Sequence, residues 1–106
     1  PMAIEPHQPD RHVPVMLAEV LDALRISPGR TFVDGTFGAG GYTRGLLEAG
    51  ANRVIAIDRD PTAIRLGQGL LIRYQRRLTL LQARFSEIEV VLSGIGVLEV
   101  DGVVLD

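Results

Sequence analysis

A chain of 106 residues has room for one hydrophobic core, and by the scaling of surface with size it buries roughly two-thirds of the surface that its unfolded form exposes. Hydrophobic residues at 46% and charged residues at 23% are the proportions of a globular chain and exclude a wholly disordered one. With 11 basic against 13 acidic residues the net charge is −2, which excludes the overall positive field of a self-sufficient nucleic-acid clamp, and the lack of cysteine excludes disulfides and thiolate metal sites.

In chain order, the first eleven residues hold three prolines and several polar side chains, so residues 1–11 are expected to form an extended arm, a tail or a lid, ahead of a domain over 12–106. Two histidines, His7 and His12, lack matching acids, and no metal is predicted. Pro14 suits a first helical position, and Met16, Leu17, Val20, Leu21 and Leu24 recur at helical spacing until "SPG" at Ser27 to Gly29. "RTFVD", Arg30 to Asp34, reads as a short strand, followed by a glycine-rich loop and then a helix in "GYTRGLLEAG" that closes at Gly50. "RVIAID" is the second strand of this series. Asp60 as N-cap and Pro61 as first helical residue start a helix predicted to run through Ile64, Leu66, Leu70, Leu71 and Tyr74, with Arg76 and Arg77 at its C-terminal dipole. "LTLLQ" is the third strand, "SEIE" at Ser86 to Glu89 reads as a capping box before "VVL", and "VDGVVLD" is the fourth strand. Strand and helix alternate as they do in right-handed βαβ units, so the fold class is α/β around a parallel sheet. Apolar runs such as Val54–Ile57 are far too short to span a bilayer, and the protein is expected to be soluble and cytoplasmic, with no membrane partner.

The chemistry concentrates in "TFVDGTFGAGGYTRGLL", Thr31 to Leu47, where five glycines fall within eleven residues directly after a strand and its terminal acid. Parallel α/β sheets bind ligands beyond the carboxyl ends of their strands. Gly35, Gly38, Gly40 and Gly41 leave bare backbone for a ligand to lie against, with helix N-terminal amides facing outward. A dinucleotide loop wants Gly-x-Gly-x-x-Gly/Ala, and counting from Gly38 its third position falls on branched Thr43, which disfavours NAD; there is no Gly-Lys-Ser/Thr, which excludes a Walker loop. Asp34 with glycines four and six residues later resembles instead the first motif of Rossmann-like S-adenosylmethionine-dependent methyltransferases. Carboxylates there suit a ligand with an ammonium and a sulfonium as they would not suit a pyrophosphate. Asp58 closes the next strand twenty residues beyond Gly38, where an acid accepts two ribose hydroxyls, a placement that serves NAD equally well. Phe85 follows the third strand, where a ring covers an adenine face or plugs a core.

Together "HVPVML" at His12 to Leu17, "DGTFGAGGYTR" at Asp34 to Arg44, "AIDRDPTAI" at Ala56 to Ile64, "RFSEI" at Arg84 to Ile88 and "DGVVLD" at Asp101 to Asp106 resemble the bacterial RsmH/MraW-type methyltransferases, which methylate N4 of a cytidine in small-subunit ribosomal RNA. The specific pair is the extended glycine motif coupled to "DRDP". The resemblance implies a Rossmann-like class I S-adenosylmethionine-dependent methyltransferase fold, here truncated after the fourth strand, and cofactor contacts at Gly40, Gly41, Tyr42, Asp58, Phe85 and Asp106, besides the motif residues Asp34 and Gly38. Tyr42 stands where the family commonly has histidine, with a backbone contact expected. His12 and Pro14 belong to the family's opening signature; from the residues His12 reads as a helix cap or surface histidine. No catalytic residue is assigned, because the family's substrate-facing loop and inserted helical domain come after Asp106. The implied partner is small-subunit ribosomal RNA, gripped mostly by regions beyond this chain. Self-association through the last strand's edge, a non-catalytic cofactor-binding module and an NAD-dependent oxidoreductase half are the other readings.

Overall fold

A computed structural model describes residues 4–8, 11–14 and 29–106. The helix expected after Pro14 lies outside the described residues. Strands β1 (Ile4–Gln8) and β2 (Arg11–Pro14) pair antiparallel, with Ile4 opposite Pro14 and Gln8 opposite Arg11. The described strand of the expected arm, Ile4–Gln8, is thus extended and paired with Arg11–Pro14, and His12 and Pro14 belong to a strand rather than to a helix start.

Four further strands form one parallel sheet: β3 (Thr31–Asp34), β4 (Arg53–Asp58), β5 (Leu78–Gln82) and β6 (Gly102–Val104), in the spatial order β5-β4-β3-β6. The interior pair has the continuous apolar sequence that burial on both faces demands, and Phe32, Val33 and Val54 through Ile57 are all fully enclosed. β5, at an edge, alternates instead, with Leu78 and Leu80 buried and their neighbours partly exposed. β6 follows β5 in the chain yet lies beyond β3, so the winding direction reverses at β3 and a crevice is left at its carboxyl end.

Helix α1 (Gly41–Glu48) begins on Gly40, whose φ of 87° requires glycine, and ends in a Schellman turn. There the N–H of Ala51 donates to the Leu46 carbonyl at 3.0 Å and that of Gly50, φ 103°, to Leu47 at 3.1 Å, so Gly50 lies one residue past the cap itself. Asp60 caps α2 (Pro61–Leu66) as expected, accepting from the Thr62 N–H at 2.8 Å.

The long helix expected to Tyr74 is broken. Gly67 separates α2 from α3 (Gln68–Tyr74), and a single 3-10 turn, Gln75–Arg77, precedes β5. A Cβ on Gly67 would come within 2.5 Å of Leu80 Cδ2 and 2.8 Å of Phe37 Cε2, so the chain passes the core there only as bare backbone. Nor does Arg77 serve its own helix. Its guanidinium lies 5.4 Å from the Tyr74 ring centroid and donates to the carbonyls of Leu47 and Ala51, both at 2.7 Å, which neutralises the C-terminal end of α1. The box before α4 (Ile88–Gly94) also shifts: Glu87 accepts from the N–H of Arg84 at 2.8 Å, over a 3-10 turn at Phe85–Glu87, in place of the Ser86 to Glu89 pairing.

Candidate functional site

The crevice at the end of β3 is floored by the Gly35 to Gly40 loop, and the acids expected there have distinct environments. Asp34 is turned inward and buried: one carboxylate oxygen accepts from the Thr36 N–H at 3.1 Å and the other from the Thr43 hydroxyl at 2.7 Å. Burial raises its pKa to about 7, against the lowering effect of the Thr43 hydroxyl and of the Thr36 and Thr43 N–H groups. Asp34 therefore staples the loop to the first turn of α1, and at 1% exposure it is closed to direct contact. Thr43, read from the sequence only as an obstacle to a dinucleotide loop, is fully buried as its partner.

Asp58, half-buried at the end of β4, holds the loop from the other side. Its oxygens accept from the Gly38 N–H at 2.8 Å and the Asp60 N–H at 2.9 Å. An ionised carboxylate has about four acceptor positions, so two remain for a ligand's hydroxyls. Gly38, at φ 54°, allows the loop to present that N–H. Beneath it Phe37, which sequence reading passed over, is a buried plug against Gly40 and Gly67; a Cβ on Gly40 would meet its ring at 3.0 Å.

Gly35 is closely enclosed. Its N–H donates to the Val104 carbonyl at 2.7 Å, and a Cβ there would lie 2.7 Å from both Phe85 Cδ1 and Leu105 Cδ1. Phe85 is partly exposed, and with Leu105 it walls a cleft of about 240 Å³ whose other sides are Asp58, Arg59 and Ala83. A second cleft, of about 550 Å³, shares Arg59, Ala83 and Arg84 with it. The structure thus brings Gly35, Asp58 and Phe85 around one opening, with Gly38 bonded to Asp58.

Gly40, Gly41 and Tyr42 open α1 on the other side of the loop. The Tyr42 side chain is buried at 3% exposure, and its hydroxyl has no hydrogen-bond partner among the described residues. Burial raises the phenol's pKa, with the charges of Asp106 and Asp34 adding to the effect. Asp106 itself is exposed, two residues beyond β6. No group of three or more metal-ligating side chains occurs among the described residues, and none of their helices is long and apolar enough to cross a membrane.

A strand, an acid, a glycine loop and a second acid at a switch point are shared by many nucleoside-binding proteins; the comparison that decides among them is with a family model for MraW methylases, which matches residues 10–106. The chain belongs to the MraW methylase family. Among curated relatives of this MraW chain, the Ribosomal RNA small subunit methyltransferase H of Azorhizobium caulinodans is 58% identical over 98 residues, covering 92% of this chain and 28% of the relative. The protein of the same name from Brucella ovis is 58% identical over 99 residues. The chain therefore spans about 28% of the length of the curated relatives it matches. Of solved structures, the C-terminal domain of precorrin-6Y C5,15-methyltransferase from Rhodobacter capsulatus superposes with a TM-score of 0.69 at 21% identity, over 92% of this chain and 50% of that one. A Streptococcus mutans protein in complex with SAH superposes at 0.56 and 20% identity, over 68% of this chain and 43% of that one. At such identities the likeness concerns the fold, and it is the Rossmann-like methyltransferase fold that the sequence suggested.

Proposed function

We propose that this chain carries most of the cofactor site of an enzyme that uses S-adenosylmethionine to methylate N4 of a cytidine in small-subunit ribosomal RNA in the cytoplasm. The observation that carries the reading is Asp58: its carboxylate fastens the glycine loop while keeping acceptor positions open to a cleft walled by Phe85. The residues fit the cofactor. Gly35 stays bare because Phe85 and Leu105 pack against it at the wall of the cleft, Asp58 suits the ribose, Phe85 suits the adenine face, and Asp106, with Gly40, Gly41 and Tyr42, suits the amino-acid end. The donor set is anionic at the loop, as a cationic ligand requires.

When bound, S-adenosylmethionine supplies a methyl group on a cationic sulfur, open to attack by a nucleophile. The exocyclic amine of cytosine is a weak one, its lone pair delocalised into the ring. An enzyme gains rate by holding that amine in line and accepting its hydrogen bonds as it becomes tetrahedral. The described residues orient the donor; no catalytic base is assigned among them. Toward a polyanion the surface offers a cleft of about 350 Å³ beside the loop, lined by Arg44 and Arg73, and the stretch from Pro61 to Ser86 holds five arginines and no acid. Pairing of two copies through the outer edge of β6 belongs to the same proposal; a solution mass at the 11.5 kDa monomer counts against it.

Isothermal titration of S-adenosylmethionine, S-adenosylhomocysteine and NAD into the chain tests the reading. Saturable binding of the first two and none of NAD is the expected result. NAD binding, or binding of none, overturns it. The dinucleotide alternative is disfavoured by Thr43, whose side chain fills the space that a third glycine would leave and is held there by Asp34.

A further inference from the structure

Buried polar atoms are satisfied in the great majority of cases, and an unpaired one calls for a cause. Among the described residues the buried side-chain atom without a partner is the Tyr42 hydroxyl, and Tyr42 is at the site: second residue of α1, directly after the glycine loop. Two carboxylates act on its phenol, Asp106 and Asp34. Asp34 is already engaged at both oxygens, by Thr36 and Thr43. Asp106 accepts no hydrogen bond from the described residues. Its position follows from the sheet: Val104 pairs with Asp34, Gly35 bonds to the Val104 carbonyl, and the chain then leaves β6 at the mouth of the loop.

We infer that Tyr42 is a positioning residue whose hydroxyl donates its hydrogen bond to the Asp106 carboxylate when the amino-acid end of the cofactor is seated, holding that acid against the ligand's ammonium. The inference rests on the proposed cofactor and gives the Tyr42 side chain a role that a backbone contact alone would not. The free chain leaves both groups without a partner among the described residues: the hydroxyl is buried, and Asp106 is exposed and accepts no hydrogen bond. The acceptor and the ligand arrive together, so the cost of the buried hydroxyl in the free chain is offset only in the complex.

The test uses the 106-residue chain with two ligands, S-adenosylmethionine and 5′-methylthioadenosine, which has the nucleoside and sulfur but no amino-acid end. Tyr42→Phe is expected to weaken S-adenosylmethionine about tenfold, as for one hydrogen bond to a charged group, and to leave 5′-methylthioadenosine unchanged. Ligand-free Tyr42→Phe should melt at or above the wild-type temperature, since it deletes an unpaired buried group. Tyr42→His, which restores a donor, should recover most of the lost affinity, and in an Asp106→Ala background Tyr42→Phe should have no further effect. Equal loss for both ligands, loss for neither, or a lower melting temperature for ligand-free Tyr42→Phe overturns the inference and makes Tyr42 a structural residue. Wild-type chain that binds neither ligand overturns the proposed cofactor as well, an outcome read before any variant is made.

Discussion

The two flanks of β3 are built differently. On the β4 side, α1 and β4 enclose Phe32, Leu46, Leu47, Val54 and Ala56, Phe37 plugs the loop from below, and Arg77 ties the end of α1 to the turn before β5. On the β6 side the sheet continues for three residues, Asp101 anchors its start by accepting from the Thr31 N–H at 2.8 Å, and α4 buries no side chain at all. Val90 there is 77% exposed and Leu98 91%. The site straddles this divide: its glycine loop and Asp58 stand on the packed flank, whereas Leu105 and Asp106 come from the thinly held one. On the proposed reading, a nucleoside would meet preorganised groups, and the amino-acid end groups that the core does not fix.

The sharpest way to break the comparison is Phe37→Ala. It empties the space beneath Gly40 and Gly67 and should destabilise the chain by about 3–5 kcal/mol, read by denaturant unfolding. An effect below about 1 kcal/mol would mean that the packed flank does not depend on its plug. Next is pH. Asp34 has its folded pKa raised from 3.8 to about 7, so the folded chain binds the extra proton between those values. Stability from this group is greatest below about pH 4 and falls as pH rises toward 7, by about 4 kcal/mol. Asp34→Asn, which keeps an oxygen and a hydrogen-bond partner for Thr43, should flatten that slope; an unchanged slope would place the titration elsewhere.

Asp58→Ala should weaken the proposed cofactor by about 1–3 kcal/mol, the range for a lost charged acceptor, and loosen the Gly38 turn. Calorimetry showing unchanged affinity would remove Asp58 from the site. The smallest effect belongs to the thin flank: Leu98→Ser should alter stability by less than about 0.5 kcal/mol, because the side chain is already in water. A larger loss in thermal melting would show that this surface is covered in solution.

Much of this architecture was legible along the chain. The apolar runs of β3 and β4, the glycine loop between strand and helix, Asp60 with Pro61, and the acids at strand ends are local patterns with local causes. Gly67 was not legible as a break, because a lone glycine in a helical pattern is tolerated and only the approach of Phe37 and Leu80 makes it necessary. Arg77 was assigned to the nearest helix end in sequence, whereas its partners lie 26 and 30 residues away. The capping box was misplaced because "RFSE" and "SEIE" overlap, and the chain used Glu87 with Arg84. Asp34 and Asp58 look alike as acids closing strands, yet burial and Thr43 make one a staple and leave the other open to the cleft.

By itself the sequence determined the alternation of strands and helices, the place of the loop and the kind of ligand its acids suit, since periodicity, glycine and charge act over a few residues. Tertiary structure alone decided that β6 lies beside β3, that Phe85 and Leu105 meet over Gly35, and that the Tyr42 hydroxyl is buried without a partner among the described residues. Parallel neighbours are joined by long crossovers, and nothing in the local pattern of a strand states which other strand will bond to its edge.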